Sequence, residues 1–126
     1  MSPSVEPPHS VILVVGREEF TPPSSFGGQV CTATQDCVAV AVTSSSDGPT
    51  TLTLSPEPPA DELLNLGEFE LETEGLLSVR DVYNREYDAM GATPGLARVV
   101  IWGDAEDEPS VVHVQAPAVA SGVRAG

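Results

Sequence analysis

Basic residues are scarce in this chain, and lysine is absent altogether. Five arginines face 19 acidic residues, so the formal net charge is −14 at pH 7. Nucleic acids and anionic membranes are bound through basic patches, which five dispersed arginines do not assemble. We therefore expect no nucleic-acid partner and no membrane partner. The acid excess is explained either by solubility or by a protein partner with a basic surface.

Long hydrophobic runs and aromatic residues are also missing. No apolar stretch approaches the roughly 20 residues of a membrane span. The first ten residues are rich in proline and carry no positive charge, unlike a secretory signal, so we expect a cytoplasmic protein. Aromatic residues make up only 5% of the chain, against 40% for all hydrophobic residues, which predicts a thin core of aliphatic side chains.

The residues that catalysis needs are few. The chain has two histidines, His9 and His113, and it has neither a GxSxG elbow nor a glycine-rich phosphate loop. His113 alternates with two valines in a predicted strand, where we expect a solvated imidazole or one paired across the sheet. We therefore predict no catalytic residue, no metal ligand and no cofactor, and hence a protein that is not an enzyme.

The two cysteines, Cys31 and Cys37, are separated by five residues. This spacing fits neither a CxxC redox pair nor a zinc half-site. In a cytoplasmic protein we expect both thiols to be reduced. A disulfide stays open as the alternative, because a tight turn between the two residues would bring their Cα atoms within bonding range.

Segments with the pattern of strands account for most of the remaining chain. A length of 126 residues suits one domain, which we place at 10–116, between a disordered N-terminal segment at 1–9 and a flexible C-terminal tail at 117–126. The strand-like segments are Val11–Val15, Cys37–Thr43, Thr50–Ser55, Gly67–Glu72, Leu76–Tyr83, Arg98–Trp102 and Val111–Gln115. They predict an all-β fold, an antiparallel β-sandwich or jelly roll of about seven to eight short strands.

Turn signals predict how these segments pair. We expect three hairpins: the second segment with the third across an Asp-Gly turn, the fourth with the fifth across a Glu-Gly turn, and the sixth with the seventh. Glycine and proline at 84–97 predict an irregular loop. Ala60–Leu66 allows at most one short helical turn, with Asp61 as its cap.

Two groups of carboxylates are the candidate binding residues. Glu68, Glu70 and Glu72 alternate with apolar residues, so they lie on one face of a strand at intervals of about 7 Å. Arg80, on the next predicted strand, is their expected counter-charge. The second group lies between the last two strands and consists of Asp104, Glu106, Asp107 and Glu108. Each group is either a docking site or a solvated surface, and the second also offers oxygen ligands for calcium, although it lacks the register and central glycine of an EF-hand loop.

Three stretches follow one another in a characteristic order: VILVVGREEF, then the strand-turn-strand FELETEGLLSV, then TPGLARVVIW, where a proline-glycine turn leads into a strand. In this order of elements, which covers most of the chain, the sequence resembles the competence protein J family. Members of that family are acidic all-β inhibitors of a DNA-entry nuclease, so the resemblance implies an all-β fold and an inhibitory function. It implies no particular inhibitory residue, and the acidic GDAEDEP connection departs from the family.

These observations predict a non-enzymatic, acidic protein-binding module that docks a partner with a basic surface. Its most concrete form is a nuclease inhibitor or an immunity-type protein, because a nuclease presents a basic groove that clustered carboxylates can occupy. The alternatives are a small-ligand or calcium-binding β-sandwich, and an accessory subunit that joins a larger assembly through an exposed edge strand.

Overall fold

The structure is a computed structural model that describes residues 4–6, 8–21, 23, 26, 29–60, 62–92 and 94–116. Within these ranges the chain forms ten strands: β1 Ser4–Val5, β2 Val11–Val15, β3 Cys31–Ala33, β4 Cys37–Ala41, β5 Thr50–Ser55, β6 Leu64–Thr73, β7 Leu76–Arg80, β8 Glu86–Gly91, β9 Gly95–Gly103 and β10 Val111–Gln115. The helical segments found there are two 3-10 turns, Pro8–Ser10 and Ser45–Asp47. Neither has the length or the apolar character that a membrane-crossing helix requires.

The strands form two five-stranded sheets. Sheet 1 has the order β1-β5-β10-β9-β6, and sheet 2 has the order β3-β4-β2-β7-β8. Among the described strands, β5 and β10 pair in parallel and every other neighbouring pair is antiparallel. The predicted all-β sandwich is confirmed, with ten strands rather than seven or eight. The additional strands are β1 and β3, which are too short to show alternation, and β8, which occupies part of the predicted loop at 84–97.

Alternate residues of both sheets fill the space between them, because successive side chains of a strand point to opposite faces. The largest fully buried side chains are all aliphatic: Ile12, Val14, Val15, Val38, Val40, Val42, Leu52, Leu71, Leu77, Val79, Val99 and Ile101. Most of them belong to one cluster between the sheets. The core is therefore built from Val, Leu and Ile, as the composition indicates.

Sheet 2 is buried on its outer face as well. A second apolar cluster lies there, and the connection between β2 and β3 covers it with two phenylalanines; the cluster and its cover consist of Leu13, Val15, Cys37, Ala39, Phe20 and Phe26. Burial on both faces explains why β2 is apolar throughout instead of alternating.

The two cysteines lie on opposite faces of sheet 2. Cys31 belongs to the core between the sheets, whereas Cys37 belongs to the outer cluster. Both are buried free thiols. Because β3 and β4 are neighbours in one ladder, a disulfide would require one strand to turn its other face to the core.

Two of the three predicted hairpins are wrong. β4 and β5 lie in different sheets, and so do β6 and β7, so each of these turns carries the chain across the sandwich. β6 pairs instead with β9, from Leu64 opposite Gly103 to Thr73 opposite Gly95. β7 pairs with β2 and β8. The third hairpin, β9 with β10, is confirmed.

At Ala60–Leu66, where at most one helical turn was expected, the described residues form no helix, and Leu64 begins β6. A two-turn helix gains little by itself, whereas strand residues gain a ladder with β9. The predicted cap, Asp61, lies outside the described residues, as does the predicted tail at 117–126. Within the predicted N-terminal segment at 1–9, β1 pairs with the start of β5. The domain boundaries stay a prediction.

Leu71 and Leu96 give a matched test of the core. Leu71 is fully buried, whereas Leu96 on the neighbouring strand is 66% exposed. Leu71→Ala is expected to lower the free energy of unfolding by about 2–5 kcal/mol, through lost burial and the cavity left behind. Leu96→Ala should change it by less than about 0.5 kcal/mol. Denaturant unfolding measures both, and equal small effects would contradict the position of Leu71 in the core.

The buried thiols are expected to react only after unfolding. Burial raises the pKa of Cys31 and Cys37 from 9.0 to about 12, and the Asp36 charge contributes for Cys37. Because the thiolate is the reactive form, the folded protein should react about a thousandfold more slowly than the unfolded chain near neutral pH. Because folding raises the pKa of both thiols, their contribution to the free energy of unfolding is complete below the unfolded pKa of 9.0 and is lost as pH rises towards 12. Titration with a thiol reagent should find two thiols in denaturant without reductant; finding none would indicate a disulfide.

Candidate functional site

β6 is an edge strand of sheet 1 and carries the predicted row of carboxylates. Phe69 and Leu71 face the interior of the sandwich, so Glu68, Glu70 and Glu72 lie together on the outer face. Glu68 and Glu70 are exposed, and Glu72 is half-buried. The row is therefore on the face that the alternation predicts.

Arg98 of β9 neutralises one end of the row. Its guanidinium forms an ion pair with Glu68, and the side-chain amide of Asn65 donates to the same carboxylate at 3.0 Å. The hydrogen bond from Arg98, and to a smaller extent that from Asn65, holds the pKa of Glu68 below its usual value. Glu70 lies opposite Arg98 in the ladder but has no ion-pair partner among the described residues. Glu70 is therefore the least compensated carboxylate of the row.

Arg17 binds carboxylates at the other end of the row. Its guanidinium lies 3.5 Å from Glu72, 3.3 Å from Glu74 and 3.8 Å from Asp36. One positive charge thus serves three carboxylates, and the cluster stays negative. Arg17 reaches this position because Gly16 passes so close to β6 that a Cβ there would collide with the backbone of Glu72.

The prediction that Arg80 balances the row is wrong. β7 belongs to sheet 2, and Arg80 is only 7% exposed there. Its guanidinium donates to Ser78 Oγ at 2.9 Å, to Asn84 Oδ1 at 2.7 Å and to Glu18 Oε2 at 3.2 Å. The counter-charge comes from Arg98 instead, which could be identified only by knowing that β6 pairs with β9.

Two exposed leucines adjoin the Glu72 end of the row. Leu96, 66% exposed, lies opposite Glu72 in the ladder, and Leu76, 47% exposed, follows the turn after Glu74. Each lines a shallow groove that also includes Arg17 and Glu74. Apolar side chains rimmed by charge are typical of protein-binding surfaces. Leu96 shares the outer face of sheet 1 with the row, whereas Leu76 points outward from β7 of sheet 2, around the edge of the sandwich at Glu74. Below, the acidic face means Glu68, Glu70, Glu72 and Leu96.

The acidic loop between β9 and β10 is separate from the acidic face. The loop begins beyond Gly103, which pairs with Leu64 at the start of β6. Glu68 is therefore about 13 Å and Glu72 about 25 Å away along the strand, at 3.2–3.4 Å per residue. Glu106, Asp107 and Glu108 are exposed. The structure does not bring the two predicted groups of carboxylates together.

Asp104 has a structural role within that loop. Its carboxylate accepts hydrogen bonds from the Ser110 N–H and hydroxyl, each at 2.9 Å, and from the Val111 N–H at 3.1 Å. Burial opposes its ionisation, but the hydrogen bonds together outweigh burial and lower the pKa of Asp104. In the part of the chain described, no three His, Cys, Asp or Glu side chains are grouped to hold a metal ion.

Both histidines have structural partners. His113 is 9% exposed, and its Nε2 donates to the carbonyl oxygen of Glu57 at 2.8 Å. The expectation of a solvated or cross-strand imidazole is wrong because the connection that follows β5 covers this face of sheet 1. His9 Nε2 lies 2.9 Å from the hydroxyl of Tyr83.

Comparison with solved structures identifies a protein with the same architecture. The fold is similar to that of ComJ from Bacillus subtilis, described as an inhibitor of the DNA-degrading activity of NucA. The TM-score is 0.62, and the match covers 94% of this chain and 99% of that chain. Sequence identity is 9%, so the likeness to ComJ shows the fold alone. It confirms, for the fold, the resemblance found in the order of elements. No protein-family model and no curated protein matches the chain.

The structural role of Asp104 is testable against a neighbour of equal charge. Asp104→Ala is expected to lower the free energy of unfolding by about 1 kcal/mol, since it leaves two N–H groups and a hydroxyl without their acceptor. Asp107→Ala should have less than half of that effect. Because folding lowers the pKa of Asp104, its contribution is present above the unfolded value of 3.8 and lost as pH falls through the folded value. Denaturant unfolding at neutral and acidic pH measures both variants, and equal losses at neutral pH would contradict this role.

Proposed function

We propose that this protein is a non-enzymatic inhibitor that docks a nuclease through the acidic face. The observation that carries the proposal is the arrangement on β6 and its neighbours: three outward carboxylates with the exposed Leu96 beside them and the exposed Leu76 around the adjoining edge, in a chain of net charge −14. ComJ supplies a precedent, because a protein of similar fold is an inhibitor of a DNA-degrading enzyme.

The charge of the acidic face suits a groove that binds phosphates. Carboxylates two residues apart on a strand form a line of negative charge at intervals of about 7 Å. A nuclease presents positive charge along the path of its DNA substrate, so this line competes for the same surface. Long-range attraction between opposite charges also accelerates the encounter of two proteins.

The two leucines supply apolar contact area, which charge alone does not provide. Exposed carboxylates at a rim act mainly on the association rate, whereas buried apolar anchors slow dissociation. Leu96 lies on the same face as the carboxylates and Leu76 around the edge at Glu74, and both are accessible in the free protein. An inhibitor needs both effects, since it must reach the nuclease before DNA does and then remain bound.

The acidic face is a better candidate than the acidic loop for two reasons. Its carboxylates stand on paired strands, which hold side chains in place more firmly than a loop does. Glu70 also has no ion-pair partner among the described residues, so a basic side chain of the partner would relieve repulsion along the row. In the loop, by contrast, Asp104 is already engaged with Ser110 and Val111.

Inhibition is tested directly with purified proteins. The protein is mixed with NucA and with each nuclease of its own source genome, beginning with any encoded beside its gene, and cleavage of a labelled DNA duplex is followed. At least one nuclease is expected to lose activity at a stoichiometric amount of protein. Full activity of every nuclease at excess protein would overturn the proposal.

Replacing Glu68, Glu70 and Glu72 together by Gln is expected to slow association with the inhibited nuclease about tenfold or more at low ionic strength and to weaken its salt dependence. The protein should still fold, because the partly exposed ion pairs of Glu68 with Arg98 and of Glu72 with Arg17 contribute little and their loss is offset by relief of mutual repulsion. The control replaces Glu106 and Glu108 by Gln and Asp107 by Asn, the same change of charge on the acidic loop. Association rates against ionic strength compare the two triple variants, and equal slowing would remove the acidic face as the specific site.

A further inference from the structure

Part of the backbone of β6 has no backbone partner among the described residues. The Glu72 N–H donates to the carbonyl oxygen of Gln35 at 2.8 Å, so the N–H groups of even-numbered residues in this stretch face away from β9. The direction of backbone groups alternates along a strand, so the N–H and C=O groups of Glu68 and Glu70 face the same way. No described strand lies on that side of β6. These groups are donors and acceptors without a backbone partner among the described residues.

The other edge strands of the described chain offer fewer unpaired backbone groups to an added strand. β1 and β3 have two and three residues. In β8, the carboxylate of Asp88 accepts the Ala89 N–H at 2.9 Å, which occupies a donor that an added strand would use. β6 has ten residues and is the longest edge strand. Proteins usually shield such edges, because a long unpaired edge invites pairing with another chain.

The unpaired stretch lies beside an apolar side chain. Phe69 is half-buried and lines an open groove of about 280 Å³ together with Glu68, Glu70 and Arg98. An added strand alternates its side chains between the two faces of the sheet. Its side chains on one face would meet the carboxylates of Glu68 and Glu70, and those on the other face would approach Phe69.

We propose that an extended basic segment of the partner pairs with the backbone of Glu68 and Glu70 and adds a strand to the edge of sheet 1. This inference rests on the proposed function and specifies how the partner is held. Backbone hydrogen bonds provide affinity, and the alternating side chains provide selection for basic residues.

The charge on β6 selects the occupant. A side chain directly across from a carboxylate in an antiparallel pair lies about 4.5–5.5 Å away between Cβ atoms, so opposite charges stabilise the pair and like charges oppose it. Two copies of this chain joined through β6 would place carboxylate rows side by side, in molecules that each carry a net charge of −14. A segment with arginine or lysine at alternate positions places positive charge beside Glu70 instead.

The test compares two variants of equal charge, Glu70→Pro and Glu70→Ala. Proline removes the N–H that faces away from β9 and is tolerated at such edge positions, so β6 should keep its ladder. The probe is a blocked peptide of alternating arginine and valine, whose binding is followed by NMR. Glu70→Ala is expected to weaken the peptide modestly, and Glu70→Pro about tenfold further, because a backbone hydrogen bond is lost and the ring obstructs the added strand.

A second measurement leaves the protein unchanged. The same peptide with N-methyl groups on the amides of one edge should lose binding, whereas methylation on the other edge should not, because only one edge of a strand faces its neighbour. Equal affinity for the two variants, or for the two methylated peptides, would overturn strand addition. Strand addition would also be overturned if the unmethylated peptide at millimolar concentration caused no NMR shift of the Glu68 and Glu70 amides in the wild-type protein. Nuclease inhibition that persists after such a result would leave the proposed function in place and reject only this mode of docking.

Discussion

The two sheets are held together by valine, leucine and isoleucine, and no fully buried side chain in the described part of the chain is aromatic. Short side chains fill the interior only if the two sheets lie close together, so the connections between the sheets must be tight. At Gly16 a Cβ would collide with β6, and its carbonyl oxygen accepts the Glu74 N–H at 2.9 Å. This close approach places Arg17 beside Glu72 and Glu74. The charge arrangement at one end of the acidic face therefore depends on how closely the chain at Gly16 passes β6.

The aromatic residues that the core leaves out have positions at its margins. Phe20 and Phe26 cover the outer face of sheet 2, which would otherwise expose a second apolar cluster. Phe69 lines the groove at the open edge of β6, and Trp102 donates from its indole N–H to Gln115 Oε1 at 3.0 Å on the outer side of sheet 1. The outer face of sheet 2 is thus covered by a loop, whereas the β6 edge of sheet 1 has no described strand beside it and is accessible to a partner.

Strand positions could be predicted from the sequence because alternation is a local property, and the face of Glu68, Glu70 and Glu72 followed from it. Pairing could not be predicted in the same way, because the partner of a strand depends on which faces must be buried together. The Glu-Gly turn would suit a hairpin, yet β6 and β7 lie in facing sheets, where Leu71 and Leu77 are both buried in the core between them. Because β6 pairs with β9 and not with β7, its counter-charge comes from Arg98 instead of Arg80, and Leu96 lies exposed opposite Glu72. Both were therefore missed in the sequence.

The acidic residues of this chain have two kinds of role, and only one kind leaves charge for a partner. Asp36 and Asp81 are each 3% exposed and accept backbone N–H groups, from Thr21 in the first case and from Tyr83 and Arg85 in the second. Such carboxylates hold loops in place. Net charge therefore overstates the charge that a partner meets, and the exposed row supplies the charge available for binding.

Charge and strand pairing would act on different steps of binding to β6. Attraction between the carboxylate row and a basic surface operates over about 8–10 Å in physiological salt, so it changes the frequency of productive encounters. Backbone hydrogen bonds and apolar contact act only after the chains have docked, so they change the lifetime of the complex. An inhibitor that competes with a polyanionic substrate benefits from both, because salt and DNA weaken the first effect but leave the second nearly intact. In this structure both features meet at Glu70, whose carboxylate has no ion-pair partner among the described residues and whose N–H faces an open edge among the described strands. Association and dissociation rates measured separately would therefore distinguish the contribution of its side chain from that of its backbone.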